Sequence, residues 1–130
     1  MTRKKHIKRL DTLWSLVVRS QQKCEWSGQK GDLKAFDAHH IIKRSNLSTR
    51  WSLENGCCLT KGVHRFKVHM DTMTAHQLIE KLKIKRGEDW YKKLVRDSNK
   101  IVKLYEKDFE EIFNKLNEKL RSIKILVFKK

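Results

Sequence analysis

Two apolar stripes at helical spacing, one near each end of the chain, constrain this sequence more than any other feature. Leu10, Leu13, Trp14, Val17 and Val18 recur at i, i+3, i+4, i+7 and i+8, and Phe109, Ile112, Phe113, Leu116 and Leu120 form a similar row. A helix carrying such a stripe must bury it against something. Between the stripes, Phe36 to Ile42 reads as a short strand and Lys43 to Gly56 as a polar loop. Cys57–Leu59 reads as the returning strand, because Asn55-Gly56 is a strong turn signal. Thr60 is placed to cap a short helix running through His64 to about His69. Thr74 with Gln77 three positions on is a capping-box pattern for a helix holding Leu78, Ile79 and Leu82, which Gly87 stops. Glu88–Asp97 adds turns around Trp90, Leu94 and Val95, and Asp108 with Glu111 opens the last helix. Ser27-Gly28 and Lys30-Gly31-Asp32 mark turns after the first helix. Residues 3–9 carry five basic side chains and are expected to fray. The class is helix-rich α+β with one small hairpin, and 130 residues fit a single domain, 1–130.

Charge narrows the partners. Lys and Arg number 31 against 15 Asp and Glu, a net +16 with histidines neutral, which attracts polyanions and above all nucleic acid. Apolar residues spread through the chain argue for a folded basic domain rather than a disordered basic tail. No apolar run approaches the roughly 20 residues of a membrane span. The basic start MTRKKHIKRL lacks the apolar stretch of a signal peptide, so no leader is expected. Three cysteines, Cys24, Cys57 and Cys58, make a poor disulfide framework, which fits a cytoplasmic location.

The chemistry concentrates in the histidines. Of six, four fall between residues 39 and 69: His39, His40, His64 and His69. A strand, a return strand and a helix can bring them together, and imidazole is the commonest ligand for borderline divalent metals. The rival reading of His40 is a core histidine on the face of Ala38 and Ile42, and that of Asn55 is only a turn residue. His69 lies five residues from His64, off the ideal i+4 face of an α-helix, so it is either a further ligand or a solvated surface residue. Asp37, two residues before His39, either orients that ring or is a surface acid. His6 and His76 are given no role.

The segments DAHHII (37–42), RWSLENG (50–56) and KGVHRFKVH (61–69) together resemble the HNH endonucleases, and the phrase HHIIKRSNLSTRWSLENG is most similar to small phage-type members. The gaps of 15 residues from His40 to Asn55 and 9 from Asn55 to His64 match that signature. The likeness covers about residues 24–70, and the helical extension, about 74–122, carries it less specifically through IKRGEDWYKKL. The resemblance implies a ββα-metal hairpin-and-helix core with an N-terminal helix and a helical C-terminal extension. It implies a metal-dependent DNA endonuclease, phage- or mobile-element-encoded, acting in the host cytoplasm. His40 and Asn55 would be the catalytic pair, His40 as general base and Asn55 fixing the backbone that carries it. His39 and His64, with His69, would hold one divalent ion (Mg, Mn, Ni or Zn).

Many relatives frame this motif with two CxxC knuckles holding a structural zinc. Here the first reads Cys24-Glu25-Trp26-Ser27 and the second Thr60-Lys61-Gly62-Val63, so one thiol of four remains and no structural zinc is expected. Apolar packing of Trp14, Trp26, Phe36 and Trp51 on the C-terminal helices has to substitute. Cys57 and Cys58 read as small strand residues rather than ligands. Arg44, Arg50 and Arg65 flank the histidines and are candidates to grip phosphate, Arg65 foremost. Lys81, Lys83, Lys85 and Arg86 gather charge at a helix end and suit salt-sensitive DNA binding. Ile125–Phe128 would be an edge strand or a protein contact. The alternative function is a DNA-binding accessory protein of phage packaging or recombination, with little nuclease activity of its own.

Overall fold

The first apolar stripe lies on α1 (Arg3–Arg19), capped by Thr2, whose hydroxyl accepts the Lys5 amide at 3.2 Å. The structure, a computed structural model, describes residues 1–128, with side chains through residue 124. The basic residues 3–9 are helical rather than frayed. Besides the cap, His6 is buried and stacked on Phe109 (5.3 Å), while Arg9 lies over Phe113 (3.8 Å) and pairs with Glu110 (2.7 Å).

Two antiparallel strands follow, β1 (Phe36–His40) and β2 (Gly56–Thr60), in a register that sets Phe36 opposite Thr60 and His40 opposite Gly56. β1 stops two residues before Ile42 because Asn55 captures the backbone there: its Oδ1 accepts the Ile42 amide at 2.6 Å. Asn55-Gly56 is not the hairpin turn that the sequence suggests. The strands are joined by the long loop 41–55, and Gly56 sits at φ −99°, open to any residue. Space, not backbone freedom, requires glycine at this position. A Cβ on Gly56 would stand 2.5 Å from Val18 Cγ2 and 3.1 Å from Trp14 Cζ2.

After β2 the chain winds into π-helical turns over Val63–Val68, with Thr60 Oγ1 accepting the Val63 amide at 3.4 Å. Helix α2 (Thr72–Arg86) starts earlier than the Thr74 pattern indicates. Asp71 is its cap, accepting from the Met73 amide (3.0 Å) and the Thr74 hydroxyl (2.6 Å). Gly87, at φ +97°, ends α2 in a conformation that favours glycine, and α3 (Glu88–Ser98) begins directly after it. Helix α4 (Glu106–Phe128) opens with the Asp108 carboxylate accepting the Tyr105 amide at 2.8 Å. Its backbone stays helical through Ile125–Phe128, so that run is no edge strand.

One connected core joins α1 (Leu10, Leu13, Trp14, Val18) to the sheet (Phe36, Cys57, Cys58, Leu59), to Leu78 and Leu82 of α2, and to Phe109 and Leu116 of α4. Trp51 is buried in it and Trp26 packs at its margin. The observed class is α+β, with a two-stranded antiparallel sheet among helices. Among the described residues no helix is long and apolar enough to cross a membrane.

Where a thiol knuckle would stand, the structure has a buried carboxylate. Glu25 is 3% exposed and accepts from the Cys58 amide (2.8 Å), Arg86 Nη2 (2.9 and 3.1 Å) and Lys85 Nζ (3.2 Å). Arg86 also donates to the carbonyls of Gly56 (2.9 Å) and Glu54 (3.2 Å). This network fastens the knuckle loop and β2 to the end of α2. It also reassigns the basic cluster of that helix end. Lys85 and Arg86 are bound to Glu25, Lys83 pairs with Glu80 (3.0 Å), and Lys81 donates to the Trp26 carbonyl (3.2 Å). Burial raises the Cys58 thiol to about 11 and pushes Cys57 up further, so both stay protonated strand residues.

Candidate metal centre

Neighbouring residues of a strand point to opposite faces, and His39 and His40 use both. His39 faces the π-helical turns, its ring centroid 5.1 Å from His64 and 5.5 Å from His69. One ring nitrogen from each of His39, His64 and His69 lies within 4.8 Å of the others. The i+5 spacing that looked unfavourable for His69 is the natural repeat here, because a π-helix closes its hydrogen bonds from i to i+5. The His69 amide donates to the His64 carbonyl at 3.2 Å, and the two rings meet edge-on with centroids 4.3 Å apart.

Asp37 fixes one tautomer. Its Oδ2 lies 3.0 Å from His64 Nδ1, so that nitrogen carries the proton and His64 Nε2 keeps a lone pair directed into the cluster. Asp37 therefore orients His64, not His39. His64 Nε2 and His69 Nε2 are 2.7 Å apart, a distance at which two lone pairs repel unless a proton or a cation lies between them. Burial first, then the neighbouring His64, His69 and His40, takes the His39 pKa down to about 3. His69 is lowered as well, by burial and by His64. Neutral imidazoles with converging nitrogens form a donor set suited to a borderline divalent cation.

His40 occupies the other side of the strand. Its ring stacks on Trp14 at 3.9 Å and 13°, which the missing Cβ of Gly56 makes room for. His40 Nε2 lies 2.9 Å from the Arg50 carbonyl. A carbonyl oxygen only accepts, so Nε2 bears the proton and Nδ1 is left as a free base. Burial lowers the His40 pKa, against the opposing pull of the Arg50 carbonyl and Asp11, which keeps the ring neutral near pH 7.

The loop that supplies this carbonyl is held at two points. Asn55, 0% exposed, donates Nδ2 to the carbonyls of Ile42 (3.1 Å) and Thr49 (3.2 Å), while its own carbonyl accepts from the Ile41 amide (3.0 Å). Asp11 of α1 accepts from Arg50 Nε (3.0 Å) and Nη2 (2.7 Å) and from Trp51 Nε1 (2.9 Å). Burial would raise the Asp11 carboxyl, but the bonds from Arg50 and Trp51 outweigh it and the pKa is lowered. Arg50 is thus engaged with Asp11 and not free to clamp phosphate. Its contribution is the backbone oxygen under His40. Arg44 and Arg65 are exposed, and Arg44 lines the same cleft as His39, His40, His64 and His69.

Sequence reasoning missed Asp11, Asp37 as partner of His64, and the Trp14 stack. An aspartate on the half-buried side of an amphipathic helix was the one available signal, at Asp11. No model of a known protein family, no curated protein and no solved structure matches the chain.

Proposed function

We propose that the chain is a metal-dependent endonuclease of the HNH type, hydrolysing DNA phosphodiester bonds on a ββα-metal core. The observation that carries this reading is the convergence of His39, His64 and His69 beside a His40 whose tautomer leaves Nδ1 free. A divalent cation held by those three histidines would polarise the scissile phosphate and stabilise the leaving 3′ oxygen. His40 Nδ1 takes the proton from the attacking water; the water oxygen bonds to phosphorus and the bond to the 3′ oxygen breaks. Trp14 and the Arg50 carbonyl prevent the His40 ring from rotating. Asn55 and Asp11 hold the loop that provides that carbonyl. Asp37, 3.0 Å from His64 Nδ1, orients that ring and aims its Nε2 into the cluster, as carboxylate partners of ligating histidines do. Arg44 and Arg65 are the free guanidiniums placed to bind flanking phosphates.

Incubating the protein with supercoiled plasmid in Mg²⁺, Mn²⁺, Ni²⁺ or Zn²⁺, and in chelator, tests the reading. Nicked or linear product that needs metal and is lost in His40→Ala supports it. Tight DNA binding with no cleavage under any of these metals would favour a DNA-binding accessory protein instead.

A further inference from the structure

Among the described residues, three of the seven large apolar side chains that stand mostly in solvent fall within residues 66–73: Phe66 (69% exposed), Met70 (77%) and Met73 (65%). Scattered exposed apolar residues need no explanation, but a concentration beside a candidate active site does. Phe66 belongs to the same π-helical turns that present His64 and His69. Those turns direct Val68 into the core and leave Phe66 outside it. The surroundings are cationic: Lys61, Arg65 and Lys67 lie in the segment 61–70, which contains no acid. An aromatic ring interleaved with cations matches a nucleic acid, offering phosphates to the charges and a base face to the ring.

We propose that Phe66 is a wedge that enters the nucleic acid at an unstacked base step, next to the phosphate handled by the histidines, with Met70 and Met73 extending its apolar edge. Apolar side chains inserted in this way hold a duplex open and kinked, and they favour sites where stacking is already broken. The inference rests on the proposed nuclease reading and names the feature of DNA that this site selects: a bulge, mismatch or junction rather than uninterrupted duplex.

The test is binding in EDTA, where cleavage does not interfere. A short duplex with a one-nucleotide bulge flanked by 2-aminopurine is compared with its fully paired counterpart by fluorescence anisotropy. The wild type is expected to prefer the bulged duplex and to brighten the 2-aminopurine. Phe66→Ala should weaken bulge binding by roughly 5- to 150-fold, the range of one base–aromatic stack, and abolish the brightening. Phe66→Trp should keep both. Circular dichroism checks that Phe66→Ala is folded, which the ring's exposure favours. Unchanged preference and brightening in folded Phe66→Ala overturn the wedge and leave the patch to a protein partner. Failure of the wild type to bind either duplex overturns the nuclease reading together with it.

Discussion

His64 and His69 bring their Nε2 atoms to 2.7 Å because five residues, not four, complete the turn between them. The approach of these two nitrogens therefore depends on a π-helical repeat that costs regular helix hydrogen bonding and recurs at functional sites. His69→Ala should lower metal affinity as much as His64→Ala does. Moving the imidazole to the α-helical i+4 position, in Val68→His/His69→Ala, should not restore it, because Val68 points into the core. Calorimetric metal titration checks this: unchanged affinity in His69→Ala would show that His69 is not a ligand, and full affinity in the shifted variant would show that the i+5 spacing is not required.

Asp37 and His64 form the second test. Asp37→Asn removes the charge that fixes the His64 tautomer but leaves all three imidazoles, so metal affinity should fall about 10- to 100-fold. Asp37→Asn in a His64→Ala background should add little. Equal losses in both backgrounds would mean that Asp37 acts elsewhere.

His40 should separate chemistry from binding. His40→Ala is expected to keep metal and DNA affinity while single-turnover cleavage drops by roughly 10²–10⁴-fold. Its lowered pKa predicts that the wild-type base still works somewhat below the ordinary histidine range, near 6.5. Loss of metal binding in His40→Ala would exchange its role with that of His39.

The Glu25–Arg86 pair predicts a large effect on stability outside the histidine cluster. Removing one partner of a buried pair is destabilising, and with Lys85 still 3.2 Å from Glu25 the loss in Arg86→Met should reach at most about 3–5 kcal/mol. The double variant Glu25→Leu/Arg86→Met should recover much of that. Urea denaturation of the two variants checks this, and a loss under about 1 kcal/mol in the single variant would assign the pair to the solvated class. Replacing Lys81, Lys83, Lys85 and Arg86 together with Gln should consequently lower stability more than it alters the salt dependence of DNA binding.

Acid should expose the same network. Burial alone would raise Glu25, but Arg86 and the Cys58 amide outweigh it, and its carboxyl is lowered; Asp11 is lowered by Arg50 and Trp51 against its own burial. Carboxyls lowered in the fold contribute stability above the unfolded range near 4 and lose it as pH falls through their folded values. The lowered histidines His39, His40 and His69 make the unfolded chain the better proton binder below about 6.5, so melting temperature should decline from there and fall further below about 4 as the carboxyls protonate. In Glu25→Gln the decline should be shallower, and an identical profile would remove Glu25 from the account.

Much of this was legible in the sequence, for reasons that differ by residue. The stripes of α1 and α4 have a period that only a buried helix face explains, and both helices are present. His39 and His64 were singled out together because histidines cluster in that stretch, and their rings do meet. His69 was ambiguous because its spacing was judged against 3.6 residues per turn, and no residue type announces a π-helical repeat. Asn55-Gly56 resembled a turn because the dipeptide favours one. The actual constraint, Trp14 and Val18 pressing on Gly56, comes from a helix about forty residues earlier. The Glu25–Arg86 pair joins residues 61 apart, and Asp11 reaches Arg50 across 39. No local pattern encodes such distances.

The network around Glu25 has a practical consequence for work with the protein. It shares no side chain with the histidine cluster, so emptying the cluster should leave the fold intact, which far-UV circular dichroism in chelator checks. A chain that keeps its fold in chelator could then be charged with one ion at a time. Differences in turnover among Mg²⁺, Mn²⁺, Ni²⁺ and Zn²⁺ can then be measured on a single preparation and attributed to the ion, not to the fraction of protein that survived its removal.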